Sequence, residues 1–205
     1  MLMKINPNRM ELLKIKKRLI VAKRGHKLLK DKRDALIQEF IHLAKESKIV
    51  REELEEKLEK CYQVFANVSS QMSKISLEEA LMFPKATTEA ITSYKNIMSV
   101  KVPHYKYKCE GKYHTYSMVD TNAGIDKSVQ NFYKVLPIML RVAELDKTIN
   151  LLADEIEKTR RRVNALEYIL MPDLEETIKF ITMKLDEMAR STNSAIMRIK
   201  EIIRS

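Results

Sequence analysis

The sequence predicts a mainly α-helical protein in which the N- and C-terminal arms form a long antiparallel two-helix coiled coil, with a small α/β-hairpin insert between them. In both arms, apolar residues recur at every third or fourth position over many turns, which is the spacing of a coiled coil. The middle segment breaks this spacing and is rich in tyrosine. Only three of the 205 residues are glycine and 32% are charged, as expected of helices with solvated outer faces.

The N-terminal arm, residues 1–75, predicts one helix from about Pro7 to about Ile75. Asn6 is a good N-cap, and Pro7 fits the first helical turn. At a rise of 1.5 Å per residue this helix would be roughly 100 Å long. The residues at the three- or four-residue spacing form one mainly apolar stripe along this helix, namely Leu12, Ile15, Leu19, Ala22, His26, Leu29, Arg33, Leu36, Phe40, Leu43, Ser47, Val50, Leu54, Leu58, Cys61, Phe65, Val68, Met72 and Ile75.

The insert, residues 76–125, predicts a short β-hairpin. Apolar and polar residues alternate from Met98 to Val102, and the alternation changes parity after Pro103. This pattern indicates a strand with a bulge or break at the proline. We expect the chain to turn around Gly111 and the segment from Tyr113 to Val119 to form the second strand.

The C-terminal arm, residues 126–205, predicts a further helix that ends near Arg204. Pro137 and Pro172 interrupt it, yet the stripe runs through Pro172 in register, so we expect a kink in a continuous arm. Its stripe consists of Leu145, Ile149, Leu152, Ile156, Thr159, Val163, Leu166, Leu170, Leu174, Ile178, Ile181, Leu185, Met188, Ile199 and Ile203.

The two stripes are too narrow for a globular core, so we expect them to bury each other in antiparallel order. The polar stripe residues Arg33, Ser47 and Thr159 would fix the register at a cost in stability. We expect Met10 to lie level with about residue 200, and Leu19 near enough to Met188 for an engineered disulfide. The insert would then lie at the end opposite the termini.

The net charge of +10 is concentrated at the N terminus, since residues 1–40 hold twelve Lys and Arg against four Asp and Glu. A basic arm of this kind fits nucleic acid, an anionic membrane surface, an acidic protein socket or simply a solvated helix face. The two cysteines have no paired spacing, which fits free thiols in a reducing cytoplasm. No apolar run approaches the roughly 20 residues that span a bilayer.

Catalytic and metal-binding patterns are weak. His104, Cys109 and His114 form the one metal-like group, but their spacing matches no usual zinc pattern, and we expect no metal site. There is neither a Gly-rich phosphate loop nor a nucleophile–base–acid signature. The triplet Arg160–Arg162 cannot face one anionic ligand together, because successive helical residues point about 100° apart. An enzyme is therefore the least favoured class.

Three blocks, Asn6–Met10, Arg24–Arg33 and Thr159–Tyr168, resemble the D subunit, which is the central rotor stalk of V-type and A-type rotary ATPases. The resemblance extends over both arms and is weaker from Tyr105 to Asn122. It implies a non-catalytic shaft that couples ATP hydrolysis or synthesis in a head of A and B subunits to H⁺ or Na⁺ transport through a membrane rotor ring. ATP and Mg²⁺ would be bound by the head and no cofactor by this chain.

The resemblance also implies further partners: the small F subunit of the stalk and the C (or d) subunit, which caps the rotor ring. Membrane contact would be indirect, with the chain cytoplasmic and peripheral to the membrane. As partner-contact candidates we select Arg9, Lys14, Lys17, Arg18, Gly25, His26, Lys27, Arg160, Arg161 and Arg162. Two alternatives stay open: a basic coiled-coil protein that binds nucleic acid, and a helical-hairpin chaperone of a secretion ATPase. The predicted strand pair argues against the chaperone, and no nucleic acid is expected for a shaft.

Overall fold

A computed structural model describes residues 6–82, 86–111 and 123–204 of the chain. They form α1 (Arg9–Gln71), α2 (Lys74–Leu81), β1 (Thr87–Ile97), β2 (Val100–Glu110), α3 (Ala123–Ala165) and α4 (Met171–Arg204), with a π-helical turn over Leu166–Leu170. The predicted fold class, long terminal helices with a small antiparallel hairpin between them, is confirmed. The chain divides into two compact units, a first unit of Met1–Ala35 with Ile156–Ser205 and a second unit of Leu36–Glu155.

In the first unit, the start of α1 packs against α4 in antiparallel order. Lys23 Nζ lies 2.8 Å from Glu175 Oε1, and three residues later His26 Nε2 lies 3.2 Å from Glu167 Oε2, so the partner residue number falls as α1 advances. The stripes meet in a core whose buried members are Ile15, Ala22, Leu174 and Ile181, with Leu12, Leu19, Met171, Ile178 and Leu185 packed around them.

The register of this pairing differs from the predicted one. With Lys23 beside Glu175, an equal rise along both helices puts Met10 level with about Met188 instead of residue 200. By the same measure Leu19 lies about nine residues away from the level of Met188, which is too far for a disulfide. Because both stripes repeat every three or four residues, several registers bury them about equally well, and cross-helix ion pairs help to choose among them.

The stripe residues are buried or half-buried from Leu12 to Met72, and from Leu145 to Leu185 except for Leu170, as predicted. The prediction is wrong at the ends of the stripes, where the exposed members are Ile75, Met188, Ile199 and Ile203. Since α1 begins only at Arg9, no described helical residue of α1 faces the last turns of α4.

In the second unit, the later part of α1 packs antiparallel against α3. The rings of Phe65 and Phe132 meet edge to face with centroids 6.2 Å apart. Arg51 donates to both carboxylate oxygens of Asp146 at 2.8 and 2.9 Å, and the Ser47 hydroxyl donates to the same carboxylate at 3.1 Å. The polar stripe residue Ser47 thus has a specific partner across the interface, which favours one register over its neighbours.

The start of α3 approaches α1 closely at Gly124. A Cβ atom added there would lie 2.5 Å from Cγ2 of Val68, a side chain that is itself buried. Glycine at this position is therefore a packing requirement of the second unit.

The hairpin differs from the predicted one in its partner strand. β2 runs through Pro103 without a bulge, and its partner is the upstream strand β1, in an unbroken register from Ile97↔Val100 to Thr87↔Glu110. The predicted second strand, 113–119, lies outside the described residues. Alternation in the sequence showed one strand correctly, but it carries no information on which neighbour pairs with it.

The turn of the hairpin is Met98-Ser99, with φ of 48° and 74°. Two positive φ values in a two-residue loop are the type I′ geometry, which matches the twist of the strands but normally calls for Asn-Gly. The absence of that signal explains why the sequence did not predict the turn here.

Pro103 is compatible with β2 because of its place in the ladder. The pair Ile97↔Val100 next to the two-residue turn is hydrogen-bonded, and hydrogen-bonded pairs alternate along an antiparallel ladder. The pair Tyr94↔Pro103 is therefore not hydrogen-bonded, so the missing N–H costs no ladder bond.

We predict that Ser99→Gly stabilises the hairpin. A left-handed conformation costs a non-glycine residue about 1–2 kcal/mol, partly offset by the entropy of glycine, so the net gain should be about 0.5–1 kcal/mol. Hydrogen exchange of the strand amides should slow about two- to fivefold. The control Thr88→Gly, within β1, should speed exchange, and equal acceleration by both substitutions would contradict the turn geometry.

We also predict opposite effects for two Gly→Ala substitutions. Gly124→Ala should lower the free energy of unfolding by about 1–3 kcal/mol, because the stiff Val68 side chain cannot move away easily. Gly25→Ala, whose Cβ would meet nothing within 4 Å, should be neutral or stabilising by up to about 1 kcal/mol. Urea unfolding measures both. The double variant Gly124→Ala/Val68→Ala should cost less than the sum of its single changes, and strict additivity would refute the clash.

Candidate partner-binding surface

The positive charge of the chain belongs entirely to the first unit. Its residues include 22 Lys and Arg against 11 Asp and Glu, a net charge of +11, whereas the second unit has 16 against 17 and a net charge of −1. The sequence placed the excess in the N-terminal arm; the structure adds that the helices packed against that arm do not neutralise it. An acidic partner would therefore be attracted to the first unit.

All ten predicted contact residues lie in the first unit, but they do not form one cluster. Lys17, Arg18 and Gly25 line a common groove, whereas the other seven do not line it. The Arg160–Arg162 side chains are exposed on α3, and Arg161 is paired with Glu157. Arg9, Lys14 and Lys27 are exposed along α1.

Two further candidates, besides Arg161, have partners within the chain. Lys14 Nζ lies 2.7 Å from Glu11 Oε1, and His26 is half-buried against Glu167. His26 thus connects two helices, as expected of a stripe residue. By contrast, Lys17 and Arg18 are exposed and form no ion pair with any residue that the structure describes.

The groove beside Gly25 has a volume of about 530 Å³ and is mostly aliphatic. Its walls are contributed by α1 on one side and by the π-helical turn and the start of α4 on the other. The aliphatic residues that line it are Val21, Ala22, Leu166, Leu170 and Leu174.

The π-helical turn has an identifiable cause in the sequence. Pro172 follows it after one residue, Met171, and a proline both lacks the N–H needed for an α-helical bond and clashes with the carbonyl four residues earlier. The stripe also takes three successive steps of four residues from Leu166 to Ile178, where a coiled coil alternates steps of three and four. The wider turn absorbs the extra residue, so the arm remains helical from Ala123 to Arg204 as predicted.

Large apolar side chains are exposed in the same unit. Val21 and Leu28 on α1 are 68% and 69% exposed, and Tyr168 and Ile169 on the π-helical turn are 72% and 62% exposed. Tyr168 and Ile169 were not predicted as surface candidates because they lie off the apolar stripe. Their consecutive apolar neighbours, up to Met171 and just before Pro172, were the available signal.

The metal-like group of the second unit is occupied by structural contacts. His104 Nδ1 lies 3.0 Å from both carboxylate oxygens of Glu144, and Cys109 Sγ lies 3.7 Å from Thr88 Oγ1. His114 lies outside the described residues. Across the described ranges, no group of three or more His, Cys, Asp and Glu side chains is arranged to hold a metal ion.

Glu144 is the buried centre of a polar network that sequence reasoning did not find. Its carboxylate accepts hydrogen bonds from the Tyr105 amide at 3.3 Å and from Arg141 at 3.0 Å, and Arg141 continues to Glu46 at 2.6 Å. The Tyr105 amide lies on the edge of β2 that faces away from β1, so no strand accepts its hydrogen bond. Glu144 accepts it instead and thereby attaches the hairpin to α3.

Both cysteines are free thiols, and Cys61 is buried. Burial raises the pKa of the Cys61 thiol, so it stays protonated at neutral pH and is a poor nucleophile. On the first unit, the hydrogen bond from Lys23, and then its charge, lower the pKa of Glu175, so this cross-helix pair stays ionised at neutral pH. None of the described helices has a stretch long and apolar enough to cross a membrane.

Comparisons with known proteins agree along nearly the whole chain. The family model that describes the D subunit of ATP synthase matches residues 11–201. The D subunit of a V-type ATP synthase from Thermoanaerobacter sp. (strain X514) is 49% identical over 201 residues, which cover 97% of this chain and 96% of the relative. Proteins of the same name from Fusobacterium nucleatum subsp. nucleatum and Acetivibrio thermocellus are 48% and 47% identical, covering 98% of this chain and 97% and 93% of the relatives.

We predict that Glu144→Ala loosens the hairpin. The substitution removes the acceptor of the Tyr105 amide and of His104 and one of the two carboxylates that pair with Arg141, which should lower the free energy of unfolding by about 1–3 kcal/mol and speed exchange of the Tyr105 amide. The control is Glu46→Ala, which removes a more exposed carboxylate from Arg141 and should cost less than about 1 kcal/mol. Equal costs in urea unfolding would show that burial of Glu144 is unimportant.

Proposed function

The chain belongs to the family of ATP synthase D subunits, and on this premise we propose that it is the non-catalytic central shaft of a V-type ATP synthase. Its rotation couples ATP hydrolysis or synthesis in a head of A and B subunits to H⁺ or Na⁺ transport through a membrane rotor ring. The chain itself acts without a cofactor, and its place is peripheral to the membrane, within the assembled complex.

The observation that carries this proposal is the pairing of unbroken helices. α1 extends over 63 residues, and the C-terminal arm is helical from Ala123 to Arg204. In each unit these helices bury one stripe against each other and leave their outer faces exposed. Paired helices resist twisting and bending better than loops, as a shaft that transmits torque requires.

We assign the partners by charge and by shape. The first unit has a net charge of +11 and contacts the A and B subunits of the head. The surface of the head that faces it would be acidic, so that the opposite charges attract. The insert, residues 76–125, contacts the small F subunit and the subunit that caps the rotor ring. The exposed side chains of Ile91, Tyr94 and Met98 on the hairpin supply apolar surface for that contact.

A single-molecule experiment tests rotation directly. In a Cys109→Ser background, where the buried Cys61 should stay unlabelled, Ser99→Cys introduces an accessible thiol for a bead. With the A and B head fixed to a surface, the bead should turn in one direction when ATP is added and stay still without ATP. Active hydrolysis with a stationary bead would show that the chain is part of the stator.

The composition of the native complex tests the alternatives. A tagged chain recovered from solubilised membranes should bring the A, B and F subunits and ATPase activity with it. Recovery of nucleic acid or of export proteins without the A and B subunits would instead support one of the two alternative functions.

We predict that the basic arm accelerates assembly. Replacing Lys14, Lys16, Lys17 and Arg18 together by Gln should slow association with the head about tenfold or more at low salt, and the difference should shrink as salt screens the charges. Stopped-flow association rates measure this. The control replaces Lys45, Lys48, Lys57 and Lys60, four lysines of the same helix in the nearly neutral second unit. Equal rates for both variants would refute the charge assignment.

A further inference from the structure

We infer that the groove beside Gly25 is a docking point for an apolar side chain carried on an acidic segment of the head. This inference rests on the proposed function and adds to it a specific contact, the chemistry of its occupant and the residues that receive it. It also gives the π-helical turn a role beyond accommodating Pro172.

The lining of the groove selects a side chain over a metabolite. Its volume of about 530 Å³ falls within the range of ligand pockets, about 300–1,000 Å³. Ligand pockets, however, also contain several convergent polar groups that orient the ligand. The groove offers aliphatic walls and, as its charged groups, Lys17 and Arg18, which suits an aliphatic or aromatic side chain with carboxylates beside it.

Two local features of the backbone create the groove. The π-helical turn widens the helix at Leu166–Leu170 and leaves Leu170 exposed, although Leu170 continues the stripe. On the facing helix, Gly25 contributes no side chain, and a Cβ added there would meet nothing within 4 Å. Packing within the chain therefore does not require glycine, which is a poor residue for a helix interior. The open space is available to a group from outside the chain.

The surroundings of the groove are apolar and accessible. Val21 lines the groove, and Leu28 lies on the same face of α1, two turns further along. Tyr168 and Ile169 belong to the π-helical turn that forms the other wall, and all four side chains are more than 60% exposed. Large exposed apolar side chains on the elements that form a groove are typical of an interaction site.

Charge identifies the chemistry of the occupant. Lys17 and Arg18 form no ion pair with the described residues, and the unit around them carries a net charge of +11. An approaching segment with carboxylates would be attracted by this field and would pair with the two cations, while its apolar side chain enters the groove. We therefore commit to one occupant, an apolar side chain flanked by Asp or Glu in the A or B component of the head.

Substitutions at Gly25 test the inference, because a long side chain there would fill the groove and a short one would serve as the control. Gly25→Met places a flexible apolar side chain in the groove, and Gly25→Ala leaves the groove almost unchanged. Both variants should fold at least as well as the wild type, which circular dichroism and thermal unfolding verify. Affinity for the assembled A and B head, titrated with fluorescently labelled chain, should fall at least tenfold for Gly25→Met and less than twofold for Gly25→Ala.

The outcomes separate the inference from the proposed function. If the wild-type chain does not bind the head, the proposed function fails. If the wild type binds and Gly25→Met binds equally well, the groove is not a docking point and this inference is overturned. A photoreactive residue at Val21 should cross-link to an A or B segment in which apolar and acidic residues are adjacent. A cross-link to a segment without acidic residues would overturn the assigned chemistry.

Discussion

Mutual burial of two narrow apolar stripes is the constraint on which the structure depends. α1 and the C-terminal arm pair through one apolar stripe each, and such helices gain most of their stability from burying that stripe against a partner. In the first unit the interface is mostly aliphatic but also buries Thr159 and Thr177, and in the second it includes aromatic rings and the hydroxyl of Ser47. The cross-helix ion pairs and the packing of the hairpin depend on the helix pairing that this burial produces.

The buried residues of the helix pair were predicted well, because apolar residues recur along the sequence at the three- or four-residue spacing of one helix face. From Leu12 to Met72, each predicted stripe residue is buried or half-buried. Register was not predictable in the same way, since shifting two regular stripes past each other changes few apolar contacts, whereas pairs such as Lys23–Glu175 exist in only one arrangement. The prediction of the partner strand in the hairpin was wrong for a related reason. Alternation identifies a single strand but not its partner, and Met98-Ser99 lacks the usual turn residues.

The candidate surface was predictable as a charge distribution but not as a site. Counting residues placed the basic excess in the N-terminal arm, and the structure confines it to one unit. The groove could not be predicted by counting, because it needs the wide turn before Pro172 and the missing side chain of Gly25 to face each other. The wide turn of the C-terminal arm and the glycine of α1 form a groove only because the register of the two helices places them opposite each other.

The exposed end of α4 has a consequence for the chain before it meets other proteins. Beyond Leu185 its apolar residues, among them Ile199 and Ile203, are exposed, and a helical end that buries little apolar surface unfolds readily. A newly made chain would therefore expose an aggregation-prone and protease-sensitive tail until another surface covers it. The lifetime of the free chain in the cell would then follow the supply of its partners, so that surplus chains are removed and the stoichiometry of the complex is kept.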